Sequence, residues 1–160
     1  MATTTNSAKV TLPTDTQILI TREFDAPRHL VWKAYTTPEL IRRWWAGTHG
    51  TVTAAEVDLR VGGSWRYVLV THDDFEVAFH GEYREIDAPG RLVNTEIYEG
   101  APDGTGVITT TLTEADGRTT LAQLCDYGDQ KIRDAVIDSG MEGGMQSSFD
   151  AMEQVAISLA

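Results

Sequence analysis

Between residues 51 and 125 the chain is punctuated so often that only one kind of sheet can be built from it. Runs at 51–60, 64–71, 75–86, 91–98, 107–113 and 119–125 mix apolar and polar side chains as half-buried strands do. Gly62-Gly63, His72-Asp73-Asp74, Ala88-Pro89-Gly90, a loop with Pro102 and Asp103-Gly104, and Asp116-Gly117 separate them. Asp-Gly between two such runs is a hairpin signal. A parallel crossover needs about a dozen residues, more than any of these connections holds, so the strands are expected to be antiparallel.

One side of that sheet is written in large side chains. Trp65, Tyr67 and Leu69 share one parity, as do Val77, Phe79, Gly81 and Tyr83 on the next run. Such a face has to be covered, and residues 141–159 supply the cover. Met141, Met145, Phe149, Met152, Val155, Ala156 and Leu159 recur at helical spacing, with Glu142, Gln146, Asp150, Glu153 and Gln154 on the other side. Gly143 and Gly144 sit inside this helix, where each costs roughly 1 kcal/mol relative to alanine. Either close backbone packing or a space left open has to offset that cost.

Upstream, residues 17–24 read as a strand through Ile18, Leu19, Ile20 and Phe24, ended by Asp25-Ala26-Pro27. A short helix follows with Leu30, Val31, Ala34 and Tyr35. A second starts at once, with Thr37 as N-cap, Pro38 in the first turn and Glu39 at the positive end of the dipole. It carries Leu40, Ile41, Trp44 and Trp45. Residues 129–139 form a weaker helix with Ile132, Ala135, Val136 and Ser139 on one face, closed by Gly140. Residues 1–16, Thr-rich with Asn6, Ser7 and Pro13, show neither period and are expected to be a flexible tail. The order is α+β: one domain over 17–160, with a curved antiparallel sheet wrapped around a long C-terminal helix and two short helices after the first strand.

Charge and composition narrow the partners. The net charge of -11, from 24 acidic against 13 basic residues, repels phosphate backbones and anionic lipid, which argues against nucleic acid. No apolar run approaches the roughly 20 residues of a membrane span, so no membrane insertion is expected. The opening MATTTNSAKV lacks the basic and apolar regions of a secretion signal, and a cytoplasmic location is expected. The sole cysteine, Cys125, allows no intramolecular disulfide and no cysteine-rich zinc site.

The candidate site is the set of rings and thioethers that meet if the sheet curls: Trp44, Trp45, Trp65, Tyr67, Leu69, Phe79, Tyr83, Met141, Met145 and Phe149. Apolar walls with a few Tyr hydroxyls and Trp N–H groups suit a flat apolar small molecule. The competing reading is a filled core in which the same rings touch each other. His80 titrates near neutrality but has the opposite parity from Phe79 and Tyr83, with no carboxylate placed by sequence to orient it. His29, His49 and His72 lack the spacing of a zinc pair. Asp126 and Asp129 read as a solvated helix start, and Cys125 as a buried small hydrophobe. No catalytic residue, metal ligand or cofactor is assigned, and no G-x-S-x-G, phosphate-loop or dinucleotide motif is present.

REFDAPRHLVWKAYTTPELIRRWWAG at 22–47, Gly62-Gly63 before Trp65, FHGEYREIDAPGRLVNTE at 79–96 and SGMEGGMQSSFDAME at 139–153 together resemble one family. It is the group named after the activator of the heat-shock chaperone ATPase, within the START-like or SRPBCC superfamily. The resemblance implies a helix-grip fold and, for bacterial members, a cavity for a lipid, polyketide or other apolar molecule. It also implies two alternatives: a cyclase or aromatase using Tyr67, Tyr83 or His80, and a chaperone-interacting protein. Members often carry tryptophan where this chain has Met145, which changes the cavity's shape. A homodimer through a strand edge or the Trp44-Trp45 end is compatible with the pattern and demanded by nothing in it.

Overall fold

Each short connection closes an antiparallel pair, and the clearest is the Asp-Gly turn. In the computed structural model, which describes residues 6–160, Ala115 pairs with Arg118 across a two-residue loop. Asp116 and Gly117 both have positive φ, 54° and 75°, as the turn that matches strand twist requires. The elements are β1 (Lys9–Thr11), β2 (Gln17–Phe24), α1 (Arg28–Thr36), α2 (Pro38–Trp44), β3 (Gly50–Val57), β4 (Ser64–Thr71), β5 (Glu76–Asp87), β6 (Arg91–Tyr98), β7 (Thr105–Ala115), β8 (Arg118–Asp126), α3 (Gln130–Asp138) and α4 (Met141–Ser158). The strands form one sheet in the order β1-β2-β8-β7-β6-β5-β4-β3, every neighbouring pair antiparallel. α4 lies on the inner face with α1 and α2 beside it, which is the α+β helix-grip arrangement expected from the element order.

The tail expected over 1–16 is corrected where the structure describes it, residues 1–5 lying outside the described residues. Lys9–Thr11 pairs with β2 in the register Lys9↔Thr21, and Ala8 is buried. The Ala8 N–H donates to Gln146 Oε1 at 3.0 Å, and Gln146 Nε2 donates back to the Ala8 carbonyl at 2.9 Å. A three-residue strand is too short to show alternation, and its partners lie on distant parts of the chain. Two local readings also change. Thr37 occupies the N-cap of α2 without a side-chain cap bond, leaving Pro38 and Glu39 to start the helix. On α3 the buried residue is Arg133, which donates to the Thr14 carbonyl at 2.7 Å, whereas Ala135 and Ser139 are exposed.

The C-terminal half of α4 seals one half of the interior. Phe149, Met152, Val155 and Ala156 are buried against Ile18, Ile20 and Phe24 of β2 and Val31, Ala34 and Ile41 of the short helices. Phe24 and Phe149 meet edge to face with centroids 5.9 Å apart. Into this apolar layer the inner face of β2 also projects Arg22. Its guanidinium donates to Asp150 at 2.7 Å and Glu153 at 3.3 Å, and lies 4.6 Å from the Phe24 ring centroid. Glu153, which helical spacing places on the polar side, is buried. It also accepts from the Asp25 N–H at 2.8 Å and from Asn6 Nδ2 at 2.7 Å.

Removing one partner of a buried pair strands the other charge, which costs about 3–5 kcal/mol. Arg22→Met should therefore lower the unfolding free energy by about that amount in urea denaturation, and adding Glu153→Gln, which removes the stranded charge and keeps an acceptor for the Asp25 N–H, should restore much of it. Equal stability of Arg22→Met and the parent would show that the cluster does not hold α4 in place.

Candidate ligand cavity

The N-terminal half of α4 is built differently. It begins at Gly140, in the left-handed region at φ 82°, and a Cβ added at Gly143 or Gly144 would meet nothing within 4 Å. Of the two explanations, open space is the one found: Gly143 faces solvent and Gly144 faces a cavity. Beneath this half lies a cavity of about 410 Å³, bounded by α4, the end of α2, and β4, β5 and β6.

All ten side chains named from the sequence line it: Trp44 and Trp45 from the end of α2, Trp65, Tyr67 and Leu69 from β4, Phe79 and Tyr83 from β5, and Met141, Met145 and Phe149 from α4. Period-two alternation puts the strand residues on one face and helical spacing puts the α4 residues opposite. Buried side chains fall into two groups, a large one containing Trp44, Ala46 and Phe149 and a small one of Trp65, Tyr83 and Leu92. All six border the cavity, which thus interrupts the core. The rings brace each other: Trp45 stands edge-on to Tyr67 at 5.4 Å and to Phe79 at 5.8 Å, and Trp65 lies 4.8 Å from Tyr67.

Sequence reasoning missed the polar part of the lining, including Tyr35, Asn94, Gln123 and Ser148. Gln123 Nε2 donates to the Tyr35 hydroxyl at 2.9 Å and to Thr110 Oγ1 at 3.1 Å, while Ser148 Oγ donates to the Trp45 carbonyl at 2.7 Å. Strand parity within β6 and β8 identifies Asn94 and Gln123 once the register is known. Two indoles expected to be free are committed to backbone: Trp44 Nε1 donates to the Ala34 carbonyl at 2.8 Å and Trp65 Nε1 to that of Thr95 at 3.1 Å. Burial pushes the Tyr35 hydroxyl up to about 12 and raises Tyr67 and Tyr83 well above the usual phenol value. These phenols keep their protons near neutrality, and the Tyr35 hydroxyl, which accepts from Gln123, still has a proton to donate.

His80 does not border the cavity, as its parity indicates. A carboxylate does orient it, however, contrary to expectation: Nδ1 lies 3.0 Å from Glu99 Oε2. Arg66 grips the same carboxylate from Nε at 2.8 Å and Nη2 at 3.0 Å, and chiefly this holds Glu99 down at about 2. Cys125 is buried and its thiol is pushed up to about 12, which leaves no thiolate for nucleophilic chemistry near neutrality. Asp129 caps α3, accepting from the N–H groups of Lys131 at 2.7 Å and Ile132 at 3.3 Å.

One carboxylate on the cavity's strand face escaped the sequence reading altogether. Leu92 and Asn94 of β6 line the cavity, so Glu96 is the next residue on the same inner face. Glu96 is half-buried, and partial loss of water around its carboxyl pushes it up from 4.5 to about 7. Between those values the folded protein keeps a proton that the unfolded chain has released. Stability therefore falls as pH rises through that window, and the full deficit is present above about 7. Glu96→Gln should stabilise the ligand-free protein by up to about 3 kcal/mol at alkaline pH and flatten this decline in urea midpoints measured across the window. An unchanged pH profile would show that the carboxylate is well solvated.

No curated protein matches this chain. A structure from Rhodobacter sphaeroides superimposes with a TM-score of 0.87 at 24% identity, covering 94% of this chain and 99% of that one. One from Mycobacterium smegmatis gives 0.83 at 24%, covering 93% and 96%, and an AHSA1-like protein from Aeromonas hydrophila gives 0.67 at 21%, covering 88% and 93%. At these identities the likeness is one of fold. The sequence profile described as "Activator of Hsp90 ATPase homolog 1-like protein" matches residues 25–156. With most of its length matched by that profile and the START-like helix-grip fold in place, the chain belongs to the AHSA1-like family.

Proposed function

We propose that this protein is a binding module that holds an apolar, lipid- or polyketide-like small molecule between the sheet and the N-terminal half of α4. One observation carries the reading: the core is interrupted by about 410 Å³ at the place where the covering helix carries Gly144 with nothing against it. Small-molecule sites typically occupy about 300–1,000 Å³, with mostly apolar walls and few polar groups. The rings of Trp45, Tyr67 and Phe79 supply such walls, and the Tyr35–Gln123 pair supplies directional contacts. Phenols that stay protonated suit recognition of an acceptor atom better than proton abstraction, so the base role in the cyclase-type alternative draws no support from Tyr67 or Tyr83. No helix among the described residues is long and apolar enough to cross a membrane.

Saturable quenching of tryptophan emission by a naphthalene-sized apolar probe is the expected result, since three tryptophans border the cavity. Gly144→Leu places a side chain in the open space without a backbone collision. It should weaken probe binding by about tenfold or more while leaving the thermal midpoint unchanged or raised, because leucine is the better helix former by roughly 0.8 kcal/mol. Full affinity in Gly144→Leu would place the probe elsewhere.

A further inference from the structure

Glu96 is half-buried beside the cavity, two residues beyond Asn94 and across from the stretch of β5 between Phe79 and Tyr83, all three of which line it. On β7 it pairs with Gly106, and on β5 the pairs Phe79↔Tyr98 and Tyr83↔Asn94 put Gly81 across from it. Glycine on both flanks admits aromatic neighbours in place of polar ones: the Tyr127 ring lies over Gly106 and the Trp65 indole over Gly81. Among the described residues no donor is within hydrogen-bond reach of it, and it takes part in no ion pair. The groups that feel its charge are Tyr35 on α1, Tyr67 on β4, Cys125 on β8 and Tyr127 just beyond β8; none is a cation.

The surroundings favour a positive charge. Phe79 lines the cavity and packs at 5.1 Å against Tyr98, the next inner-face residue after Glu96, so aromatic rings whose faces attract cations stand close by. A net charge of -11 adds a long-range field of the same sign. Resting on the cavity reading above, we propose that the ligand is an apolar or aromatic amine whose protonated nitrogen pairs with the Glu96 carboxylate, while its hydrocarbon part fills the space under Gly144. Burial that raises the carboxyl toward neutrality is the ordinary behaviour of an unpaired acid, and an ammonium beside it restores the charged form.

The test is a tryptophan-fluorescence titration at about pH 8, where a free carboxyl of this kind is ionised, with three probes of one shape: 1-naphthylmethylamine, 1-naphthylmethanol and 1-naphthoate. The amine is expected to bind about tenfold tighter than the alcohol, and the carboxylate most weakly. In Glu96→Gln the amine should fall to the alcohol's affinity while the alcohol is unchanged. Equal binding of amine and alcohol by the parent protein overturns the inference and leaves the apolar receptor standing. A preference for the amine that survives in Glu96→Gln likewise overturns it, by assigning the charge recognition elsewhere. Failure of all three probes to bind overturns both readings.

Discussion

The cavity depends on a buried ion cluster at its far end. Arg22, with a side chain 1% exposed, is held between Asp150 and Glu153 of α4, and Glu153 in turn ties down Asp25 and Asn6. Two separated parts of the chain, Asn6 and residues 22–25, thus converge on one helical turn. A guanidinium suits this because Nη2 alone reaches both carboxylates while Nη1 donates to the Glu23 carbonyl at 3.0 Å, although Nε has no partner in this structure. Such a cluster adds little net stability over an apolar replacement, and its consequence is positional. It pins the C-terminal half of α4 against β2, so the N-terminal half can span the sheet without having to pack onto it.

This division along one helix explains the methionine and glycine content. Phe149 and Met152 fill the sealed half, where Met152 is fully buried. Met141 and Met145 are only half-buried and lie over the cavity with Gly144. Thioether side chains adapt to varied shapes, and glycine removes the side chain that would otherwise close the space. The same sequence stretch therefore serves as core at one end and as a roof at the other. Rigid indoles fixed to backbone carbonyls, Trp44 to Ala34 and Trp65 to Thr95, keep the walls from collapsing inward.

Much of this was legible in the residues because it depends on period. Alternation assigned Trp65, Tyr67, Leu69, Phe79 and Tyr83 to one face, and helical spacing assigned Met141, Met145 and Phe149 to the face opposite. What depends on register across strands was not legible. Glu96 looked like any polar strand residue until Gly106 and Gly81 were found beside it. Glu99 gave no sign that it orients His80, because it follows β6 and reaches back across β5 to the outer face. Arg22 and Glu153 lie 131 positions apart, and β1 becomes a strand only because β2 offers it an edge. Long-range pairing of this kind leaves no local trace.

The central claim is that the space under α4 is a receptor and not a packing defect. A crystal structure of the protein grown with 1-naphthylmethanol tests it most directly. Planar electron density is expected between Gly144 and the Trp65–Tyr67 wall, with the hydroxyl directed toward Tyr35 and Gln123. Met141 and Met145 folded down onto Trp65, closing the space and leaving the additive only on the outer surface, would contradict it.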